Sequence, residues 1–305
     1  MSIKSSQASL RMKPLLFAML GLTAAAGGVR TYQMLHQIDA STGFFLNNGV
    51  FQRVFLYAIP VLGVLWLIVS YLSKDAGSRS PDRMQSKVLA GAAVLMSAGL
   101  VADCVQAIRQ IRSLGQVTVE DGSSMFATGK FALIGEAVFA ALAAVYLLLL
   151  AASYFGKEMQ RLLQNNGIRL LALSPMLWAA SRMVHHFLIK ISFSRVSDLF
   201  FELIMLGFMT LFFLYFAQLN SNVYRVGFEW RVFGFGAAAA LVAGMLSLSR
   251  IIVLCVSRSA VNADYPVRPA DCVFCVFVFV LLFVLLRQPQ ELETVPAAGE
   301  ETKDD

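Results

Sequence analysis

The stretch AVFAALAAVYLLLLAASYFG, residues 137–156, contains no Asp, Glu, Lys or Arg. Residues 54–73 and 203–224 also lack these four residue types. Each stretch is long enough to cross a hydrocarbon core of roughly 30 Å as an α-helix. Their apolar residues would cover every face of such a helix, whereas the strands of a membrane barrel alternate between polar and apolar residues. These stretches therefore predict transmembrane helices.

The composition of the whole chain agrees with this interpretation. Of its 305 residues, 58% are hydrophobic and 14% are charged, whereas soluble domains carry about a quarter charged residues. The predicted class is all-α, a polytopic transmembrane helix bundle of about eight spans in contact with the lipid bilayer. The predicted spans cover residues 14–34, 51–73, 88–110, 129–155, 170–190, 197–219, 230–256 and 269–287.

The distribution of Lys and Arg predicts the orientation. One alternating set of predicted loops and ends holds thirteen of these residues and the opposite set holds eight, so the first set is expected inside. Both termini are then cytoplasmic. Residues 1–13 form a basic N-terminus, 14–287 the transmembrane domain, and 288–305 a disordered acidic tail. The expected location is a cell membrane, of the bacterial cytoplasmic type. A cleaved signal peptide at the N-terminus is the alternative for the first span.

The net charge of +6 does not indicate nucleic-acid binding. Lys and Arg lie mostly at helix ends, as membrane orientation requires, and they form no patch interleaved with aromatic residues. Many aromatic residues instead occur inside the predicted spans 197–219 and 269–287. Phe on all sides of a span is typical of lipid contact, so these two spans are expected to face lipid.

Small residues in the spans suggest how the helices pack. Gly236, Ala240 and Gly244 follow one another at four-residue spacing, which lets helix backbones approach closely. Gly91 and Gly99 in the third span repeat the spacing of Gly236 and Gly244 in the seventh. This match suggests a weak four-plus-four repeat of the kind found in transporters. Coincidence among common membrane-helix residues is the alternative.

Ionisable residues inside the spans indicate where function lies. A charge at membrane depth costs at least a few kcal/mol, so such residues should face partners or water. In the predicted topology they all fall in the outer half of the bundle, where three acids and three arginines share one layer. The predicted ligand-binding set is Arg30, Asp103, Glu136, Arg182, Glu202 and Arg250.

One pair within this set follows from counting residues. Arg182 precedes the turn near Ser192 by ten residues, and Glu202 follows it by ten. Both therefore lie about 15 Å from the turn, and two adjacent helices can bring them side by side. Arg195, Asp198 and Glu202 are expected to share one helical face. The two carboxylates are one helical turn apart and require a cation, which Arg182 or Arg250 can supply. The alternative is an ion-pair network that only fixes the helix register.

Metal and cysteine chemistry are weakly indicated. His185 and His186 are adjacent, which points them about 100° apart on a helix, and no HxxxH or HExxH motif occurs. No metal and no cofactor is therefore predicted. Cys272 and Cys275 form a single CxxC at the start of the last span. Packing is the expected role of the cysteines, with a disulfide as the alternative.

Three functions follow from these observations. The first is a transporter-like or small-ligand-binding membrane protein, with a mixed-charge cavity open to the outer side. Excess arginine favours a small anionic or zwitterionic ligand. The second is a membrane sensor or assembly subunit without a substrate, in which the loop 74–87 or the tail 288–305 docks a membrane-protein partner. The third is an intramembrane metal-dependent hydrolase, although no nucleophile–base motif is visible. An enzyme is thus not favoured.

Overall fold

A computed structural model of the chain describes residues 2–38, 45–46, 50–72, 86–121, 129–154, 165–188, 196–221, 229–256 and 267–287. These residues form helices, as the apolar runs predict. The helices are α1 (Ser2–His36), α2 (Val50–Leu72), α3 (Lys87–Asp121), α4 (Lys130–Ser153), α5 (Asn166–Leu171), α6 (Ser174–Leu188), α7 (Val196–Asn220), α8 (Glu229–Val256) and α9 (Pro269–Arg287). The prediction of an all-α transmembrane helix bundle is confirmed.

Within the part of the chain that the structure describes, seven helices are long and apolar enough to cross a membrane. These spans are Pro14–His36, Gln52–Leu72, Lys87–Ser113, Lys130–Ser153, Asp198–Asn220, Trp230–Val256 and Pro269–Leu286. The predicted fifth span corresponds to two shorter helices, α5 and α6, separated by a turn at residues 172–173. The longer of them, α6, has 15 residues and a length of about 22 Å. The chain is a multi-pass membrane protein by these dimensions.

Two predicted helix ends are wrong. The first helix was expected to begin at Pro14, but α1 begins at Ser2 and contains Pro14 in its interior. Residues 2–13 include many good helix formers and no glycine, so nothing in them ends the helix before the membrane. The segment 112–128 was expected to be a loop, yet α3 continues to Asp121 because no proline interrupts it. The tail 288–305 and most of the loop 74–87 lie outside the described residues.

Six helices form a closed ring. Following the contacts around it, α3 packs on α4, α4 on α6, α6 on α7, α7 on α8, α8 on α9, and α9 again on α3. The remaining long helices, α1 and α2, pack against α8 from outside the ring, and α1 also touches α9. Helix α8 therefore has neighbours on most sides, and 67% of its span is buried. The ring defines an interior that is separated from lipid.

Small residues hold α1, α8 and α9 close together. A Cβ added to Gly244 on α8 would lie 2.4 Å from Thr23 Cγ2 on α1 and 2.9 Å from Cys275 Sγ on α9. Real Cβ atoms do not approach other atoms this closely, so any larger residue would push a helix away. Nearby, the Cys275 thiol donates to the carbonyl oxygen of Ala240 at 3.4 Å. The predicted close-packing role of the Gly236, Ala240 and Gly244 stripe is confirmed at this contact.

Many aromatic residues of α7 and α9 fill the ring instead of facing lipid. Phe213 and Phe274 are buried with ring centroids 5.4 Å apart, and Trp178 on α6 meets Phe213 edge-on at 6.3 Å. Phe216 and Phe277 form another buried pair at 5.7 Å. The prediction that these spans present their aromatic residues to lipid is therefore wrong for these side chains. Because α3, α4 and α8 are rich in small Ala and Gly, large rings from α7 and α9 are needed to fill the interior.

Candidate functional site

The ring carries an ionisable side chain on each of its six helices, at nearly the same height. Glu136 and Glu202 lie six residues after the first residues of α4 and α7. Arg182 and Arg250 lie six residues before the last residues of α6 and α8. Six residues of helix correspond to about 9 Å. We use the term charge layer for Asp103, Glu136, Arg182, Glu202, Arg250, Arg268 and Asp271, which are all buried.

Arg182 on α6 connects three helices. Its guanidinium donates to both carboxylate oxygens of Asp271 on α9, with N–O distances of 2.5 and 2.8 Å. It also donates to Glu202 Oε1 on α7 at 2.5 Å. This confirms the predicted Arg182–Glu202 pair. A bidentate pair of this kind matches the planar guanidinium to the planar carboxylate and fixes both orientations.

Glu202 receives two further groups. Arg250 on α8 donates to its Oε2 at 3.1 Å, and His186 Nε2 lies 3.2 Å from its Oε1. Glu202 is thus the carboxylate that joins α6, α7 and α8. Arg182 and Arg250 were predicted to supply the cation for Glu202 and Asp198, and both contact Glu202. Asp198 contacts Arg30 instead, so the prediction is wrong for that carboxylate.

Arg268, just before α9, joins the other side of the ring. Its Nη1 contacts Glu136 Oε1 on α4 and lies 3.5 Å from Asp103 Oδ2 on α3. The start of α9 reaches this position because α3 has Gly99 there. A Cβ at Gly99 would lie 3.2 Å from Ala270 Cα, within the α9 backbone. One turn further along α3, Asp103 therefore faces the arginine that precedes α9.

Arg30 forms a separate pair outside the ring. It contacts Asp198 on α7, donates to Gln33 Oε1 at 3.2 Å and lies 5.3 Å from the ring centroid of Phe201. The carboxylate of Asp198 is 15% exposed, so this pair lies nearer the edge of the bundle. The structure thus brings five of the six predicted ligand-binding residues into the charge layer and places Arg30 beside it.

Sequence reasoning missed Arg268 and Asp271. Arg268 was assigned to a loop, and Asp271 was not considered because it occurs in the first turn of the last span. The predicted topology contained the necessary signal. It starts the last span at the same end of the bundle as Asp103, so Arg268 and Asp271 had to lie near the layer. Arg195, expected to share a face with Asp198, lies outside the described residues.

For most members of the layer, the sign of the charge is related to the position of the residue along its helix. The carboxylates of Glu136, Glu202 and Asp271 lie in the N-terminal parts of their helices, and Asp271 is in the first turn of α9. Arg182 and Arg250 lie in the C-terminal parts of α6 and α8. A helix N-terminus carries partial positive charge and a C-terminus partial negative charge. Five members of the layer are therefore placed towards the helix end of opposite sign, whereas Asp103, near the middle of α3, and Arg268, just before the N-terminus of α9, are not.

Histidines and cysteines near the charge layer serve packing and hydrogen bonding. Within the described ranges, no three His, Cys, Asp or Glu side chains converge in a set suited to a metal ion. The four cysteines are free thiols. The Cys104 thiol donates to the Ala137 carbonyl oxygen at 3.3 Å, where it joins α3 to α4. This contact agrees with the packing role predicted for cysteines.

The charge layer is closed in this structure, since its members are at most 8% exposed and bind one another. The layer contains planar guanidinium groups and carboxylates in an interior with little water, where electrostatic interactions are strong.

Comparison of the sequence with models of known protein families, with curated proteins and with solved structures gave no match.

Proposed function

We propose that this protein is transporter-like, a multi-pass membrane protein that binds a small anionic or zwitterionic ligand in its charge layer. The proposed location is a cell membrane of the bacterial cytoplasmic type, with the layer towards the outer side. The ring interior is the proposed path, and this structure is its occluded state. The ligand site of the proposal contains Asp103, Glu136, Arg182, Glu202 and Arg250, with Arg30 at its edge.

The observation that carries this proposal is that all six ring helices contribute a charged group at one height. A bundle that needs only packing has no requirement for charges at membrane depth, which are costly and usually functional. A network confined to two helices would suffice to fix their register. A network that links the whole circumference instead lets any change in one pair alter the packing of several helices.

The arginines of the charge layer indicate which class of ligand the proposed site would bind. Arg182 already holds a carboxylate in the bidentate geometry that a small carboxylate ligand would use. Arg250 contacts Glu202 Oε2 at 3.1 Å, a longer distance than those between Arg182 and its carboxylate oxygens. A ligand carboxylate would therefore replace the Glu202 oxygen on Arg250 at lower cost than either oxygen on Arg182. Opening of the layer is thus an exchange of protein carboxylate for ligand carboxylate.

The first experiment is a ligand screen on the purified full-length protein. A library of small carboxylates and zwitterions is tested for compounds that raise the unfolding temperature, and these compounds are then tested for uptake into proteoliposomes. Arg250→Lys keeps the charge but loses the planar fork, so binding should weaken at least tenfold. Arg109→Gln, on the exposed face of α3, is the matched control and should bind as wild type. Ligand binding that is unchanged by Arg250→Lys and Arg182→Lys would contradict the proposal.

The second candidate function is a membrane sensor or assembly subunit. The full burial of the charge layer favours it, because a closed network can serve as a scaffold. Helix α2 also exposes a wide apolar face, with 17% of its span buried. Stable co-purification of one partner, together with no ligand found in the screen, would favour this function. Loss of that partner on deletion of residues 288–305 would assign the docking to the tail.

A further inference from the structure

The charge layer contains more acids than bases. Its carboxylates are Asp103, Glu136, Glu202 and Asp271, and its guanidinium groups are Arg182, Arg250 and Arg268. Arg30 does not correct the difference, because Asp198 neutralises it. With every group ionised, the layer carries one more negative than positive charge, counted over the residues that the structure describes. An uncompensated charge in a low-dielectric interior is strongly unfavourable, and such groups bind a proton instead.

Two of the four carboxylates are poorly compensated. Glu202 has two arginines and His186 around it, and Asp271 has both oxygens on Arg182. Asp103 and Glu136 instead contact the same nitrogen, Arg268 Nη1, through one oxygen each. Their second oxygens, Asp103 Oδ1 and Glu136 Oε2, are buried and have no hydrogen-bond partner in the part of the chain that the structure describes.

The other titratable groups around this pair are weaker candidates for the proton. On α6, His186 already contacts Glu202, which has two arginines, so a proton there would add charge where compensation is complete. His185, also buried on α6, interacts electrostatically with Glu136 but also with the cations Arg268 and Arg182. The charged groups that act on Asp103 are Glu136 within the pair, Arg182 on α6, and Arg268 and Asp271 at α9.

We propose that Asp103 and Glu136 together form a proton-binding site that takes up one proton and shares it between their carboxylates. The proton binds one carboxylate oxygen, and the resulting hydroxyl group donates a hydrogen bond to the other carboxylate. The charge layer then becomes neutral, with three carboxylates and three guanidinium groups. No metal ion is required, in keeping with the lack of a suitable three-residue ligand set among the described residues.

A proton at this site also changes what Arg268 can bind. In the deprotonated layer Arg268 holds two carboxylates through one nitrogen, whereas in the protonated layer it faces a single negative charge. An anionic ligand is then less strongly repelled, so uptake of a proton and of an anion would favour each other. This coupling rests on the transport function proposed above. Proton binding itself does not, and it can be measured without a ligand.

The test uses the full-length protein in lipid nanodiscs, with protons as the only probe. Infrared difference spectra across a pH titration report the C=O stretch of a protonated buried carboxyl group. Wild type should show one such group per chain. Asp103→Asn and Glu136→Gln should each remove it, because either change leaves three acids for three arginines. Glu229→Gln, which removes a carboxylate at the first residue of α8, 21 residues before Arg250 and so about 30 Å from the layer, is the matched control and should leave the signal unchanged.

Several outcomes would overturn the inference. One is wild-type protein without a protonated carboxyl signal at any pH at which it stays folded, a result that does not depend on any variant. Another is a signal that persists in both folded variants, or that disappears in Glu229→Gln. Ligand uptake that does not depend on a pH gradient would refute the coupling of proton and anion uptake but not the proposed function. A carboxyl signal at the pair without any transported ligand would refute the proposed function but not the proton site.

Discussion

Arg182 and Asp271 are 89 residues apart in the sequence and form a two-point contact between α6 and α9, at 2.5 and 2.8 Å. The two helices are not neighbours in the ring, since α7 and α8 follow α6 before α9. The contact therefore crosses the interior. It joins opposite parts of the ring within the charge layer.

Replacing this arginine should destabilise the fold strongly. Arg182→Gln leaves Asp271 and half of Glu202 uncompensated in the interior, and loss of one partner of a buried pair costs about 3–5 kcal/mol. The free energy of unfolding in detergent should fall by about this amount. Adding Asp271→Asn should restore part of it, since the second change removes a stranded charge. Arg109→Gln should cost almost nothing, and an equal loss in both arginine variants would show that the network has no special role.

The contact of α1, α8 and α9 predicts a steric effect. Gly244→Val would place atoms within 2.4 Å of the present Thr23 position, and overpacking of this kind costs about 1–3 kcal/mol. The unfolding temperature should fall. Gly91→Ala is the control, because nothing lies within 4 Å of a Cβ at Gly91. A similar loss in both variants would mean that glycine itself, and not the close contact, matters.

The interior position of the aromatic rings can be tested by truncation. Phe213→Ala removes a ring that is 1% exposed, so a loss of about 3–5 kcal/mol is expected. Phe283→Ala on α9 removes a ring that is 43% exposed and should cost little in detergent. If the two variants were equally stable, the rings of α7 would face lipid, as the sequence pattern suggests.

The orientation of the bundle can be tested with one cysteine. Cys255 is exposed and lies next to the last residue of α8, at the end of the ring that carries the charge layer. A membrane-impermeant maleimide should label intact cells if this end faces outward, as the Lys and Arg distribution predicts. The label should be lost in Cys255→Ala. Labelling that requires opened cells would reverse the predicted topology.

Hydropathy alone predicted seven of the spans, because a helix that crosses lipid must be apolar over most of its length. The predicted fifth span is instead two shorter helices. Counting from a turn placed Arg182 beside Glu202, since helices rise by a constant amount per residue. The same methods did not predict which side chains face the interior of the ring and which face lipid. Phe213 and Phe283 are indistinguishable by hydropathy, yet one fills the ring and the other does not. Only packing against Ala- and Gly-rich partners separates them.

The members of the charge layer were also only partly predictable from the sequence. Asp103 and Glu136 were recognised as unusual because they interrupt apolar spans. Their partner, Arg268, is ordinary in sequence, since arginine is common just outside a helix. It becomes a member of the layer because α9 starts close to α3 at Gly99. Such a contact depends on the arrangement of the complete ring, which residue patterns within single helices do not specify.

Closure of the ring by α9 has a consequence for biosynthesis. A chain made from its N-terminus inserts Asp103 and Glu136 long before Arg268 and Asp271 are translated, and the contacts of α9 with both α3 and α8 complete the ring. Until then, the two early carboxylates lack the cation that they share, and Arg182 lacks its bidentate acceptor. A nascent chain that stops before α9 therefore exposes unmatched charges to the bilayer, which distinguishes it from the finished protein for membrane quality-control proteases.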